Sequence, residues 1–188
     1  MTSRYYVIFI VLTVAIVAGC DLFQTRDPAA PTQGTSSRET PTTHDIVLSN
    51  LRNAIAEKNV ENYMSCFVDP ALRPYVFEPS PDQAANFTLW GLESERRYFQ
   101  NITSSLNGRP SFTDSIYNST ISSSLVTYYM TYTLFIPHQD PNAPRLVQGT
   151  MELYFVQDSL HLWSIYKWVD RKTRLDSTWS YLKAWFNR

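Results

Sequence analysis

Cysteine is nearly absent. The 188 residues hold two, Cys20 and Cys66, so at most one disulfide can form and a thiolate metal framework is excluded. Histidine is almost as rare. His44, His138 and His161 lie far apart, no His-x₃-His pair exists, and neither a structural metal nor a cofactor is expected. Excess charge of either sign is also missing: 16 Lys and Arg stand against 17 Asp and Glu. Without a long basic run there is no electrostatic footprint for nucleic acid. Internal repeats are absent too. The apolar run from Val7 to Val17 falls short of the roughly 20 residues that a membrane-spanning helix needs. A chain of this length still buries about two-thirds of its unfolded surface, so its core requires no staple.

What is present begins at the N-terminus. Arg4, the apolar run and the small residues Ala18 and Gly19 before Cys20 form the positive, apolar and cleavage regions of a secretory signal. The series Val17-Ala18-Gly19-Cys20 resembles the bacterial lipoprotein lipobox. That resemblance implies cleavage before Cys20 and attachment of a diacylglycerol, with fatty acyl chains such as palmitate, at the thiol. Cys66 then has no intramolecular partner, and it sits among the apolar positions of a predicted helix as a small buried hydrophobe. Residues 1–19 are thus a signal peptide and 20–43 a lipidated cysteine with a flexible tether. Pro28, Pro31 and Pro41 lie there among Thr, Ser, Gln and Gly, with Phe23 the sole aromatic residue. Such a segment buries too little apolar surface to fold, and as a coil it reaches about 25–30 Å. Asp21, next to the anchor, fits inner-membrane retention under the enteric sorting rule. The bacterial origin that the lipobox resemblance implies makes the glycosylation sequons at Asn86, Asn101 and Asn118 accidental.

Order is expected from about Thr42, with an N-cap in Thr42-Thr43-His44-Asp45. Val47, Leu51, Ala54 and Ile55 recur at helical spacing. Asn59 caps a second short helix bearing Tyr63, Met64, Phe67 and Val68, which Asp69-Pro70 ends. Residues 75–78 form an extended piece and 79–88 a loop. A third helix runs from about Leu92 to Leu106, with Leu92, Phe99, Ile102 and Leu106 on one face and Asn107-Gly108 after it. The period then changes to two. Strands are expected over 112–117, 123–136, 147–156 and 160–170, with Tyr128, Met130, Tyr132, Leu134 and Ile136 sharing a face. In the last strand Trp163, Ile165 and Val169 are set opposite Leu162, Tyr166 and Trp168. Trp179, Leu182 and Phe186 mark a closing helix capped by Ser177. The basic residues Lys167, Arg171, Lys172, Arg174, Lys183 and Arg188 read as a solvated turn and helix face, with an anionic lipid surface as the other reading.

Helices followed by an antiparallel meander give an α+β fold, N-terminal helices packed on a strongly curved sheet over 44–188. The segment Leu51 to Phe67 and the strand Leu162-Trp-Ser-Ile-Tyr-Lys-Trp168 resemble the nuclear transport factor 2-like, or SnoaL-like, family, and that resemblance implies a cone-shaped, cystatin-like arrangement. That family holds isomerases, cyclases, dehydratases, assembly modules and noncatalytic binding domains, so fold alone leaves activity open. For its enzymes the resemblance implies an acid, histidine or tyrosine constellation inside the cone. The weak candidates are Asp114, Glu152, His161 and Tyr98, and nothing in their spacing joins them. No catalytic residue is therefore assigned, and the site expected is lipid attachment at Cys20. The abundant aromatic side chains read as core or as an apolar ligand pocket.

The chain is accordingly expected to be a membrane-anchored lipoprotein of the bacterial cell envelope, facing the periplasm or exterior. A noncatalytic ligand-binding or assembly module is the first reading, with an apolar small molecule or an envelope protein as partner. A small SnoaL-like isomerase or hydrolase acting on an apolar molecule is the alternative.

Overall fold

The computed structural model describes residues 37–173 and 177–188. Cys20, the lipobox, the signal peptide and most of the tether lie outside the described residues. Helix α1, His44–Glu57, starts where the Thr43 hydroxyl accepts the Ile46 N–H and ends on Lys58 in the left-handed region, φ 59°. Its buried stripe holds Val47, Leu48, Leu51, Ala54 and Ile55. Asn59 accepts from Asn62 N and opens α2, Val60–Met64. Strand β1, Val76–Glu78, and a 3₁₀ turn, Pro81–Asn86, precede helix α3, Leu92–Ser104. The meander β2 Ser111–Ile121, β3 Leu125–Phe135, β4 Leu146–Gln157 and β5 Trp163–Arg171 follows, and α4, Trp179–Phe186, closes the chain.

This is the α+β architecture expected, helices packed on a curved sheet. The strand order is β1-β5-β4-β3-β2. Pairing is antiparallel within the meander, but β1 joins β5 in parallel, which alternation alone cannot reveal. One face of the sheet carries Met130, Leu134, Val147, Met151, Leu153 and Phe155, each without solvent exposure. The core lies between that face and helices α1 to α4. Trp179 of α4 reaches across the sheet, its ring meeting Trp168 of β5, Tyr132 of β3 and Phe112 of β2 at centroid distances of 4.6, 5.5 and 5.1 Å.

Four expectations need correction. The segment taken as tether up to residue 43 is engaged from Ser37 onward. Asn50, buried on α1, accepts from Glu39 N at 2.8 Å and donates to Glu39 O at 2.7 Å. Pro41 is buried, with its carbonyl accepting the Trp163 N–H. A polar side chain in a helix stripe must find partners, and here they are backbone groups of the preceding chain.

The second correction concerns β5, where the register slips between Tyr154 and Phe155 so that Lys167 pairs with Tyr154 and Ile165 with Phe155. Tyr166 is the extra residue of this bulge, which turns Trp168 to the same inner face as Ile165 instead of the opposite one. Third, the cap of α4 is Thr178, whose hydroxyl accepts the Tyr181 N–H, rather than Ser177. Fourth, the basic C-terminal residues form a solvated face only in part: Lys172 and Arg188 are exposed. Lys183 is completely buried, while Lys167 and Arg171 are paired with Glu78.

Candidate functional site

The four weak candidates occupy four separate environments. Asp114 lies on β2 with its side chain 1% exposed and receives the Arg52 fork from α1, Nε and Nη2 each at 2.7 Å. The bond fastens helix to edge strand, and it holds the guanidinium more firmly protonated. Glu152 stands on the outer face of β4 and accepts the Tyr154 hydroxyl at 2.6 Å. His161 occupies the β4–β5 turn with φ 60° and is exposed. Tyr98 is buried on α3, where it accepts the Trp179 indole N–H at 2.9 Å, and burial raises its pKa. Among the described residues, no hydrogen bond or ion pair joins any two of these four.

The interior instead holds two carboxylates that sequence reasoning passed over. Glu95 of α3 and Lys183 of α4 are both 0% exposed and meet at 2.7 Å between Oε1 and Nζ. Glu95 Oε1 also accepts the Tyr63 hydroxyl at 2.5 Å, and Oε2 accepts the Trp90 indole N–H at 2.8 Å and the Tyr75 hydroxyl at 3.3 Å. Burial first, then the Glu95 charge, pushes both tyrosine hydroxyls well above their ordinary pKa. Burial lowers the Lys183 pKa, against the pull of Glu95.

Asp170, at the end of β5, is likewise fully buried. It accepts Tyr132 Oη at 2.7 Å, Ser180 N at 2.7 Å and Ser180 Oγ at 2.5 Å. Tyr132 in turn accepts the Trp179 N–H at 2.7 Å. A carboxylate facing the first turn of α4 compensates its free N–H groups and the positive end of its dipole. General acid or base work needs a carboxyl within reach of a substrate proton. Both of these are already surrounded by donors from the chain itself.

Comparison with solved structures gives the fold. A conserved protein from Planctomyces limnophilus matches with a TM-score of 0.57 at 12% identity, over 70% of this chain and 94% of that one. A protein named as a candidate scytalone dehydratase from Novosphingobium aromaticivorans matches at 0.55 and 13%, over 69% and 81%. A nuclear transport factor 2-like superfamily protein from Salmonella enterica serovar Typhimurium matches at 0.51 and 7%, over 70% and 89%. The fold is the nuclear transport factor 2-like cone. At these identities the likeness extends to the fold alone. No family model matches the sequence, and neither does any curated protein.

In this cone, Trp168, Trp179, Tyr63 and the Glu95–Lys183 pair stand inside among fully buried side chains. A groove of about 450 Å³ lies outside it, between Pro41, Phe67, Leu72, Leu162 and Trp163. Its carboxylates are engaged in turns: Asp69 accepts Ala71 N, and Asp158 accepts Leu160 N and Leu162 N. Cys66 is buried nearby in the sequence, and desolvation pushes its thiol up to about 12, which suppresses the reactive thiolate. Among the described residues no group of His, Cys, Asp or Glu is placed to hold a metal ion, and no helix is long and apolar enough to cross a membrane.

A usable signal for the missed pair was present. Glu95 falls three residues after Leu92 and four before Phe99, on the apolar stripe of α3. Lys183 falls four after Trp179 and three before Phe186, on the stripe of α4. Opposite charges on the buried faces of two helices are a pairing pattern, because neither can be desolvated alone.

Proposed function

We propose that the protein is a lipid-anchored, noncatalytic module of the bacterial cell envelope, held to the membrane through Cys20 and working by assembly with an envelope protein. The filled cone is the observation that carries the noncatalytic part. Its interior carboxylates, Glu95 and Asp170, are closed in by side chains and helix N–H groups of the chain. Asp114, Glu152, His161 and Tyr98 stand apart, so the acid–base pair that an isomerase or hydrolase needs is unassembled. Exposed apolar side chains at the distal end of the β2–β3 hairpin, Tyr117 at 62% and Ile121 at 65%, favour a protein partner over a small molecule.

The anchor rests on Val17-Ala18-Gly19-Cys20 following an apolar run. Two acyl chains at one cysteine suffice for stable membrane attachment, whereas a single chain is marginal. Expressed in a bacterial host, the native chain should enter the detergent phase with the mass of a cleaved, acylated product. Cys20→Ser should appear as unprocessed precursor or as soluble protein. Identical mass and partitioning for the two would rule the anchor out.

A further inference from the structure

Lys183 is held as a bound ligand would be. Its ammonium nitrogen sits 3.9 Å from the ring centroids of both Phe77 and Trp168, with Tyr98 at 5.9 Å and Trp90 at 6.0 Å. Glu95 closes the remaining side at 2.7 Å. Aromatic faces around a carboxylate are the chemistry that recognises ammonium groups, since ring quadrupoles and the negative charge both favour a cation. Phe77 comes from β1, Trp168 from β5, and Glu95 and Tyr98 from α3. These wall groups come from the body of the cone, Trp179 of α4 backs them by packing on Trp168 and donating to Tyr98, and α4 also supplies the cation.

The walls are also fixed without it. Glu95 keeps three donors from Tyr63, Tyr75 and Trp90, and Phe77 packs on Trp168 at 6.2 Å and on Trp90 at 5.8 Å. We propose that the interior of the cone is a preformed binding site for a primary alkylammonium group, occupied in this state by Lys183 as a built-in ligand. The site takes a free aliphatic amine when the lysine side chain is truncated. This goes beyond the anchored-module reading and does not depend on Cys20.

Lys183→Ala removes the propylammonium portion of the side chain, so n-propylammonium is the matching probe. Thermal unfolding of the full-length variant should shift upward with n-propylammonium, saturably, and far less with 1-propanol or with acetate. The native protein and Lys183→Met, whose sites are filled, should show no comparable shift. An equal response to 1-propanol, no response in Lys183→Ala, or the same response in all three proteins would each overturn the site.

Should Lys183→Ala fail to fold, Lys183→Ala with Glu95→Gln removes the stranded charge and retains the aromatic walls. That variant should still respond to n-propylammonium, at a concentration at least about tenfold higher because the carboxylate is gone; no response would overturn the site. In the native protein, NMR should find the Lys183 ε-methylene protons moved upfield by the rings of Phe77 and Trp168. Ordinary lysine shifts there would also refute it.

Discussion

Glu95 and Lys183 are each fully buried, so removing one charge strands the other. Truncating half of a buried, hydrogen-bonded pair typically costs about 3–5 kcal/mol, whereas replacing both halves with uncharged groups is much milder. Lys183→Met and Glu95→Gln should therefore each lower the free energy of unfolding by several kcal/mol. The double variant should fall well short of their sum. Denaturant titration of the four proteins measures the coupling, and simple additivity would mean that the two groups do not interact. Arg52 and Asp114 form a weaker case because the guanidinium is partly exposed. Arg52→Ala leaves a carboxylate that is 1% exposed without its fork, at a cost of about 1–3 kcal/mol. Lys183 rather than Arg52 should be the more damaging loss.

At the level of elements, hydrophobic period carried most of the information. The alternation of Tyr128, Met130, Tyr132 and Leu134 places all four on the buried face of β3, because a strand cannot change faces without a bulge. That condition failed in β5. The extra residue Tyr166 depends on pairing with β4, a nonlocal fact that leaves no mark in the segment itself. The carboxylate centres stayed hidden for a related reason, since Glu95 and Lys183 each contradict their own helix stripe and make sense only once the two helices meet.

Gly149 shows the same dependence on distant partners. A Cβ there would lie 2.6 Å from the Arg171 carbonyl oxygen and 2.8 Å from the Tyr132 hydroxyl, and that hydroxyl ties Asp170 to the first turn of α4. Gly149→Ala should destabilise by about 1–3 kcal/mol through overpacking. Hydrogen exchange should find the excess opening concentrated in α4; protection lost evenly across the sheet would contradict this linkage.

For the molecule as a whole, the polar core sets a direction of pH dependence. Tyr63, Tyr75 and Tyr132 are pushed well above 10.0, chiefly by burial, and Tyr98 is raised by the same cause. Cys66 moves from 9.0 to about 12. These five groups stay protonated in the folded state at a pH where the unfolded chain releases their protons. Their stabilisation is complete below the unfolded values and is lost as pH rises. Lys183 has the opposite sign: burial depresses its pKa from 10.5, so its contribution improves with rising pH up to that value. Each group in its window changes stability by up to about 1.4 kcal/mol per pH unit, so five against one gives a net loss. The melting temperature should fall steeply above about pH 10. Phenolate absorbance from the buried tyrosines should rise together with unfolding rather than ahead of it. If those tyrosines ionise near pH 10 while the sheet remains folded, the sealed interior inferred for this cone is wrong.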